Sequence, residues 1–397
     1  MKYTKITLPY KIKSGVLAFG AQSKSAFCFA KGNIAYLSGS GGDLSAMESF
    51  KKFENQIKLL QKKFNIKPDI IACDLHPEYI STKLAHDWAR GTPYHKGTGQ
   101  VERRVKKIQH HEAHVASCMA DNDIRGRVIG VAFDGAGFGP DGNIWGGEFF
   151  IGGAKGFKRA AHLKYIAMPG AEASIKEPWR MAFSYLYDIY GKDAASKILN
   201  RLDKKKMDML EQAVDKKINS PLTSSVGRLF DGISSIIGIC DFAGYEGEAA
   251  IRLEKIIFAH LGARQCSALN APGRYKFKYI NEDGMIIIDW GPTIRGVAGD
   301  LKDSVKKPEI SLKFHNAICD MIKDVCSILK KKYRIKKVCM SGGVFQNKYL
   351  SGRLKPMLVK EGFNVYGHKK VPTHDGGIAL GQAILAHERL HSDNVRV

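Results

Sequence analysis

Residues 127–153 run RVIGVAFDGAGFGPDGNIWGGEFFIGG. Apolar Val128, Ile129, Val131 and Phe133 predict a strand that ends in the Gly-rich turn Phe133-Asp134-Gly135-Ala136-Gly137. IWGGEFFIGG predicts its returning hairpin partner. Further upstream the chain opens in a comparable way. GVLAFGA, SAFCFAKG and NIAYLSG predict three strands of a β-meander, punctuated by Lys31-Gly32-Asn33. An amphipathic helix then opens at Asp43-Leu44-Ser45 and runs to about Phe64. It is followed by the buried strand DIIACDL, a helix from about Tyr79, a short strand from Val105 to Ile108 and a helix from about His110. Late in the chain, helix ISLKFHNAICDMIKDVCSILKKKY leads into strand KKVCMSGG. Two strand-rich openings, each followed by helices, predict a duplicated α/β unit. The expected lobes are 1–125 and 126–397 around a cleft, with the last helix able to pack back on the first lobe. The polar runs 201–225 and 299–310 are the linker candidates.

At 397 residues the chain is too long for one ordinary core, which agrees with two lobes. No apolar run is long enough to span a bilayer. The start, MKYTKITLPYKIKSG, has no apolar signal core, so a cytoplasmic protein is expected. Eight scattered cysteines, Cys266 among them, form no CxxC, which argues against a zinc ribbon and for small buried side chains. The net charge of +23 is unusual. Much of it sits in short clusters such as Lys51-Lys52, Arg103-Arg104, Lys204 to Lys206 and Lys330 to Lys332. Solvated helix faces account for many of these; a basic surface also fits an acidic protein partner or a nucleic acid.

Three Gly-rich turns follow apolar strands: Phe19-Gly20-Ala21-Gln22-Ser23-Lys24, Phe133 to Gly137, and Met340-Ser341-Gly342-Gly343-Val344-Phe345-Gln346-Asn347. Any one of them could merely reverse the chain. Three together are better explained by a nucleotide between the lobes, since glycine lets backbone N–H groups approach an anion. None is a Walker A loop. In Gln109-His110-His111-Glu112-Ala113-His114, the i, i+4 spacing puts His110 and His114 on one helix face, where both can reach one metal. Asp134 at a strand end and Asp375 in His374-Asp375-Gly376-Gly377 are acidic candidates for the same ion. Two imidazoles and two carboxylates suit an open iron, manganese, zinc or magnesium site. Asp231 in Gly227-Arg228-Leu229-Phe230-Asp231 and Glu246 in Gly244-Tyr245-Glu246-Gly247-Glu248 could accept ribose hydroxyls, or Asp231 could simply cap a helix.

Taken together, these stretches resemble the C-terminal domain of the hydrogenase-maturation carbamoyltransferases, the HypF family. The matching segments are CDLHPEYIST (73–82), QHHEAHVAS, GVAFDGAGFGPDGNIWGGEF, EPWRMA (177–182), SSVGRLFD (224–231), YEGEAA (245–250), MSGGVFQN and HDGGIALGQA. The resemblance implies a two-lobed actin-like (ASKHA, RNase H-like) ATPase fold. It implies metal ligands at His110, His114, Asp134 and Asp375, the first three catalytic. Nucleotide contacts fall on Lys24, Gly135, Gly137, Asp231, Glu246, Gly342, Gly343 and Asn347, with the adenosine end near Gly342 and Gly343. It further implies carbamoyl transfer, from ATP-derived carbamoyl-adenylate, to a cysteine thiol of a HypE-like partner, with no nucleophile in this chain. The family's acylphosphatase, zinc-finger and YrdC-like regions find no match here, so a separate YrdC-like protein is the expected source of activated carbamoyl. GAQSKSAFC also departs from the family's GAELKNTFC. A tRNA threonylcarbamoyl transferase, favoured by the charge, and a non-catalytic nucleotide-binding scaffold are the rival readings.

Overall fold

A computed structural model describes residues 2–90, 104–261 and 273–393; Cys266, Arg103 and the side chain of Arg104 lie outside the described residues. The first part of the chain forms β1 (Tyr3–Ala18), β2 (Cys28–Ser38), α1 (Met47–Phe64), β3 (Ile70–Asp74), α2 (Ile80–Arg90), β4 (Arg104–Ile108) and α3 (His110–Asp121). Its sheet has the order β2-β1-β3-β4, with β1 antiparallel to β2 and parallel to β3. The second part begins with β5 (Val128–Phe138), β6 (Ile144–Gly153), β7 (Gly156–Leu163) and β8 (Ile166–Ala167). Then come α4 (Ala173–Lys176), α5 (Trp179–Tyr190), α6 (Lys192–Ile198), α7 (Lys204–Asp215), β9 (Leu222–Thr223), α8 (Val226–Ile236) and α9 (Glu248–Leu261). It continues with β10 (Lys278–Glu282), β11 (Met285–Asp289), α10 (Gly291–Lys302), α11 (Lys307–Tyr333), β12 (Lys337–Ser341), α12 (Lys348–Lys360), β13 (Asn364–Tyr366) and α13 (Ile378–Asp393). The main path of this sheet is β10-β11-β7-β6-β5-β12-β13.

Four expectations are corrected. The opening is a two-stranded ribbon, not a three-stranded meander: β1 starts at Tyr3, and Lys31-Gly32-Asn33 lies inside β2, where Gly32 (φ +62°) marks a register shift opposite Ile12. Ile6, Leu8 and Ile12 alternate inward between exposed lysines, so this charged start is a strand. Second, Phe133 to Gly137 is no turn. β5 runs through it as an irregularity between the Phe133 and Gly137 rungs, and the hairpin closes at residues 139–143. Third, the polar runs are not linkers: 201–225 holds α7 and β9, and 299–310 is the end of α10 and the start of α11. Fourth, Asp231 caps nothing; it lies inside α8, where Ser225 is the N-cap.

Helix α3 joins the two sheets and is buried on every side from His110 to Ala120, apart from half-buried Glu112. Ala113, Ala116 and Ala120 pack with β1, β3 and α13, while Val115, Cys118 and Met119 pack with Val128, Phe150 and Cys339. A helix enclosed in this way needs small and apolar residues all round. Its three histidines therefore have to find partners inside the protein. The last helix completes the enclosure: Gln382 of α13 accepts from Gly20 N–H (2.9 Å) and donates to the Gly20 carbonyl (3.2 Å).

Candidate metal and nucleotide site

The Gln109 side chain caps α3 by accepting the Glu112 N–H at 2.9 Å, which fixes where the first turn begins. His110 and His114 then share one face, ring centroids 5.0 Å apart. Asp134 arrives from the irregular end of β5, and Asp375 from the short 3₁₀ turn ahead of α13. The His110 Nε2 lies 3.5 Å from Asp134 Oδ2 and 3.6 Å from Asp375 Oδ1. For His114 Nε2 the same distances are 3.4 and 3.6 Å. One ligand atom from each of the four residues lies within 4.8 Å of all the others.

Both Nε2 atoms are buried without a hydrogen-bond partner. A buried polar atom left in that state is expensive, and two of them facing two carboxylates fit a divalent cation. Burial works against charge on both rings, but Asp74, Asp134 and Asp375 hold His110 well above the usual imidazole range, and Asp134 and Asp375 raise His114. Burial also opposes ionisation of Asp134 and Asp375, yet the facing histidines hold both carboxyls below their usual range.

The supporting residues were not identified from the sequence. Asp74 Oδ2 sits 2.8 Å from His110 Nδ1, while Asp74 Oδ1 accepts the His76 backbone N–H at 3.0 Å. On the other side, Ser341 Oγ lies 3.3 Å from His114 Nδ1 and 2.8 Å from His368 Nε2. Burial pushes His368 down to about 4, so its ring is neutral and shares a single hydrogen bond with the serine. Each Nδ1 thus has a partner, and the opposite nitrogen faces Asp134 and Asp375. One signal in the sequence pointed to Asp74: it ends a buried apolar strand as Asp134 does. His111 turns away, its Nδ1 accepting from Gln109 Nε2 at 3.1 Å, and burial pushes it down to about 3.

Asp134 also opens onto a cleft of about 250 Å³ lined by Lys24, Gly135, Arg228, Asp231, Glu246, Gly343 and Asn347, among others. A larger depression of about 400 Å³ around Arg201 and Lys307 shares no residue with the site. Asp134 Oδ1 accepts the Gly343 N–H at 2.9 Å, and its carbonyl accepts from Ser225 Oγ at 2.7 Å. Lys24, in the left-handed region (φ +49°), reaches across to Glu246 at 3.0 Å. Asp231 is buried against Arg228 at 2.7 Å; burial raises its carboxyl despite that guanidinium. Asn347 is already committed, capping α12 through Leu350 N–H (2.9 Å) and donating to His315 (3.0 Å). Two expected nucleotide residues are not among those lining the cleft. Gly137 packs on the histidines, where a Cβ would meet His111 Cε1 at 2.5 Å. Gly342 (φ +103°) lies against the Phe133 carbonyl, which a Cβ would meet at 2.1 Å.

Residues 130–382 match the family model described as carbamoyltransferase, Kae1-like domain, second subdomain, and residues 11–121 match the HypF Kae1-like domain. The chain belongs to the HypF carbamoyltransferase family, through its Kae1-like domain. It is 33% identical to the carbamoyltransferase HypF of Synechocystis sp. over 395 residues, covering 96% of this chain and 48% of that protein. It is 32% identical to the probable carbamoyltransferase HypF of Methanocaldococcus jannaschii, covering 93% and 46%. The chain therefore spans about half the length of these relatives. A carbamoyltransferase HypF homolog of Cupriavidus necator, 29% identical, is matched over 91% of its length and 94% of this chain. Among solved structures, full-length HypF in its phosphate- and nucleotide-bound form superposes with a TM-score of 0.87 at 35% identity, over 98% of this chain and 57% of that one. HypF of T. kodakarensis gives 0.83 at 27% identity, over 98% and 49%. The fold is the duplicated actin-like α/β fold of that family.

Proposed function

We propose that this chain transfers a carbamoyl group from carbamoyl-adenylate to a cysteine thiol of a HypE-like partner, with a divalent metal held by His110, His114, Asp134 and Asp375. The observation that carries this reading is the double use of Asp134. One oxygen faces both histidines; the other holds the Gly343 N–H at the edge of the cleft. A nucleotide in the cleft would have its acyl-phosphate end beside the metal. Bound there, the metal would supply positive charge to phosphate or carbamoyl oxygens.

The chain's own residues bind and orient. Lys24 exchanges Glu246 for phosphate, Gly135 and Gly343 offer close backbone approach, and Asp231 and Glu246 accept ribose hydroxyls. The acceptor thiolate attacks the carbamoyl carbon, the bond to the adenylate oxygen breaks, AMP leaves, and the thiol proton goes to solvent. Activation of carbamoyl phosphate by ATP is assigned to a YrdC-like protein or region. Membership in a family whose model is described as a carbamoyltransferase supports the reading. The test supplies pre-made carbamoyl-adenylate and a HypE-like acceptor, and follows AMP release and acceptor mass. Carbamoylated acceptor with wild type, and none with His114→Ala or Asp375→Asn, is the expected result; equal turnover by all three would overturn it.

A further inference from the structure

The excess charge is unevenly placed, and the site does not use it. β5, β12 and β13 run parallel, so residues 127, 336 and 363 share one end of the second sheet. The β6–β7 turn reaches the same end, because Gly152 pairs with Val128. Asp134 and Ser341 lie at the opposite end, about 20 Å away at the rise of a strand. Exposed Arg125, Arg127, Lys155, Lys331, Arg334 and Lys336 crowd the near end.

These cations differ from others on the surface. Elsewhere, Lys164, Lys192, Arg201, Arg252 and Arg274 are matched to carboxylates. Among the described residues, no cation of this end forms a salt bridge. Those that are anchored use backbone carbonyls, which do not neutralise charge: Lys330 to Glu361 (2.6 Å), Lys332 to Gly284 (3.1 Å) and Lys337 to Arg125 (3.0 Å). Arg127 lies over the Tyr333 ring at 5.9 Å. The result is a partly pre-ordered surface with an excess of positive charge, since, among the described residues, the exposed Asp123, Asp283 and Glu361 are outnumbered and form no ion pair with these cations.

We infer that this end of the second sheet binds the phosphate backbone of a double-stranded nucleic acid without reading its bases. Phosphate contacts call for lysine and arginine in an open array. A protein partner would call for an apolar centre poor in lysine, and among the described residues the exposed large apolar side chains near here are only Ile328 and Val359. Among the described residues, no exposed aromatic stands at this end to stack unpaired bases, which favours a duplex over a single strand.

The experiment measures anisotropy of a fluorescent 20-base-pair RNA or DNA duplex titrated with the whole chain at several salt concentrations. A quadruple reversal, Arg125→Glu, Lys155→Glu, Lys331→Glu and Lys336→Glu, is compared with a control reversal at the two ends of α7, Lys204→Glu, Lys205→Glu, Lys206→Glu and Lys216→Glu. Binding that falls steeply with salt and weakens at least tenfold in the first variant, while the control stays within about threefold, is expected. Circular dichroism and metal content should be unchanged in both. Four results would each overturn the inference: no binding at 100 mM salt; equal loss in the two variants; equal affinity for polyglutamate, which would indicate a protein partner; or equal affinity for anionic vesicles.

Discussion

Replacing Asp74 with Asn removes one charge and almost no volume, yet it should weaken the metal site strongly. Asp74 is fully buried and serves two donors, His110 Nδ1–H through one oxygen (2.8 Å) and the His76 backbone N–H through the other (3.0 Å). Asparagine has a single acceptor oxygen. Whichever way its amide turns, an NH₂ faces an N–H, so either the ring of His110 or the backbone of His76 loses its partner. Partners of ligating histidines are typically worth 10- to 100-fold in metal affinity, or about 1.4–2.7 kcal/mol. His110 turns to keep its hydrogen bond or accepts the wrong tautomer, and its Nε2 leaves the face shared with His114. The assay is competition against a chromophoric chelator with chelator-stripped wild type, Asp74→Asn and His110→Ala, with nucleotide binding as a control. The order of affinities should be wild type, then Asp74→Asn, then His110→Ala. An Asp74→Asn protein within twofold of wild type would refute the reasoning, leaving Asp74 as a support of the residue 75–79 loop alone.

Three other outcomes are expected. His110 and His114 carry pKa values raised above the ordinary imidazole value of about 6.5, burial opposing charge but the facing carboxylates outweighing it. Metal must displace those protons, so its affinity, read by chelator competition, should climb as pH rises from 6 to 8. Metal-free stability, read by denaturant melts, should be fullest below 6.5 and decline as pH passes the folded values. Gly135→Val places its Cβ 3.8 Å from Arg228 and 3.9 Å from Glu246. It should therefore fold normally and lose nucleotide affinity by calorimetry, whereas Gly342→Val should lose thermal stability itself. Finally, this chain given carbamoyl phosphate and ATP should release no pyrophosphate until a YrdC-like protein is added, since the two Kae1-like matches, 11–121 and 130–382, take up nearly all of it.

The histidine pair was legible because a helix converts a spacing of four into one face, whatever surrounds it. Asp134 was legible as a polar residue ending an apolar run. Asp74 has the same signature, but its partner lies 36 residues away, and only the β3–β4 pairing brings it beneath His110. The Ser341–His368 support behind His114 crosses 227 residues and left no local trace. The two strand corrections share one cause: tertiary pairing overrides the local meaning of glycine and lysine. Gly32, Gly135 and Gly137 bend strands that tertiary pairing keeps continuous, and the alternation of Ile6, Leu8 and Ile12 was hidden by the lysines between them and by Pro9, which falls where β1 pairing is interrupted.

The position of the site depends finally on two residues without side chains. α3 must lie close enough to β5 on one side and α13 on the other for its histidines to meet Asp134 and Asp375. At Gly130 of β5 a Cβ would meet the Val115 methyls at 2.6 and 2.7 Å; at Gly381 of α13 it would meet the Ala113 carbonyl at 1.9 Å. Each glycine is the contact through which a sheet or helix seats on α3. A methyl at Gly130 must push α3 by several tenths of an ångström or force Val115 off its rotamer, costing about 1–3 kcal/mol. Metal geometry tolerates about 0.2 Å, so Gly130→Ala should lower metal affinity although it touches no ligand. The clash is with a side chain, so it can be relieved: Val115→Ala in the same protein should restore much of the lost affinity. The clash at Gly381 is with backbone, and no side-chain change nearby should rescue Gly381→Ala. Equal metal affinity in wild type, Gly130→Ala and the double variant would show that α3 is not the element that sets the spacing.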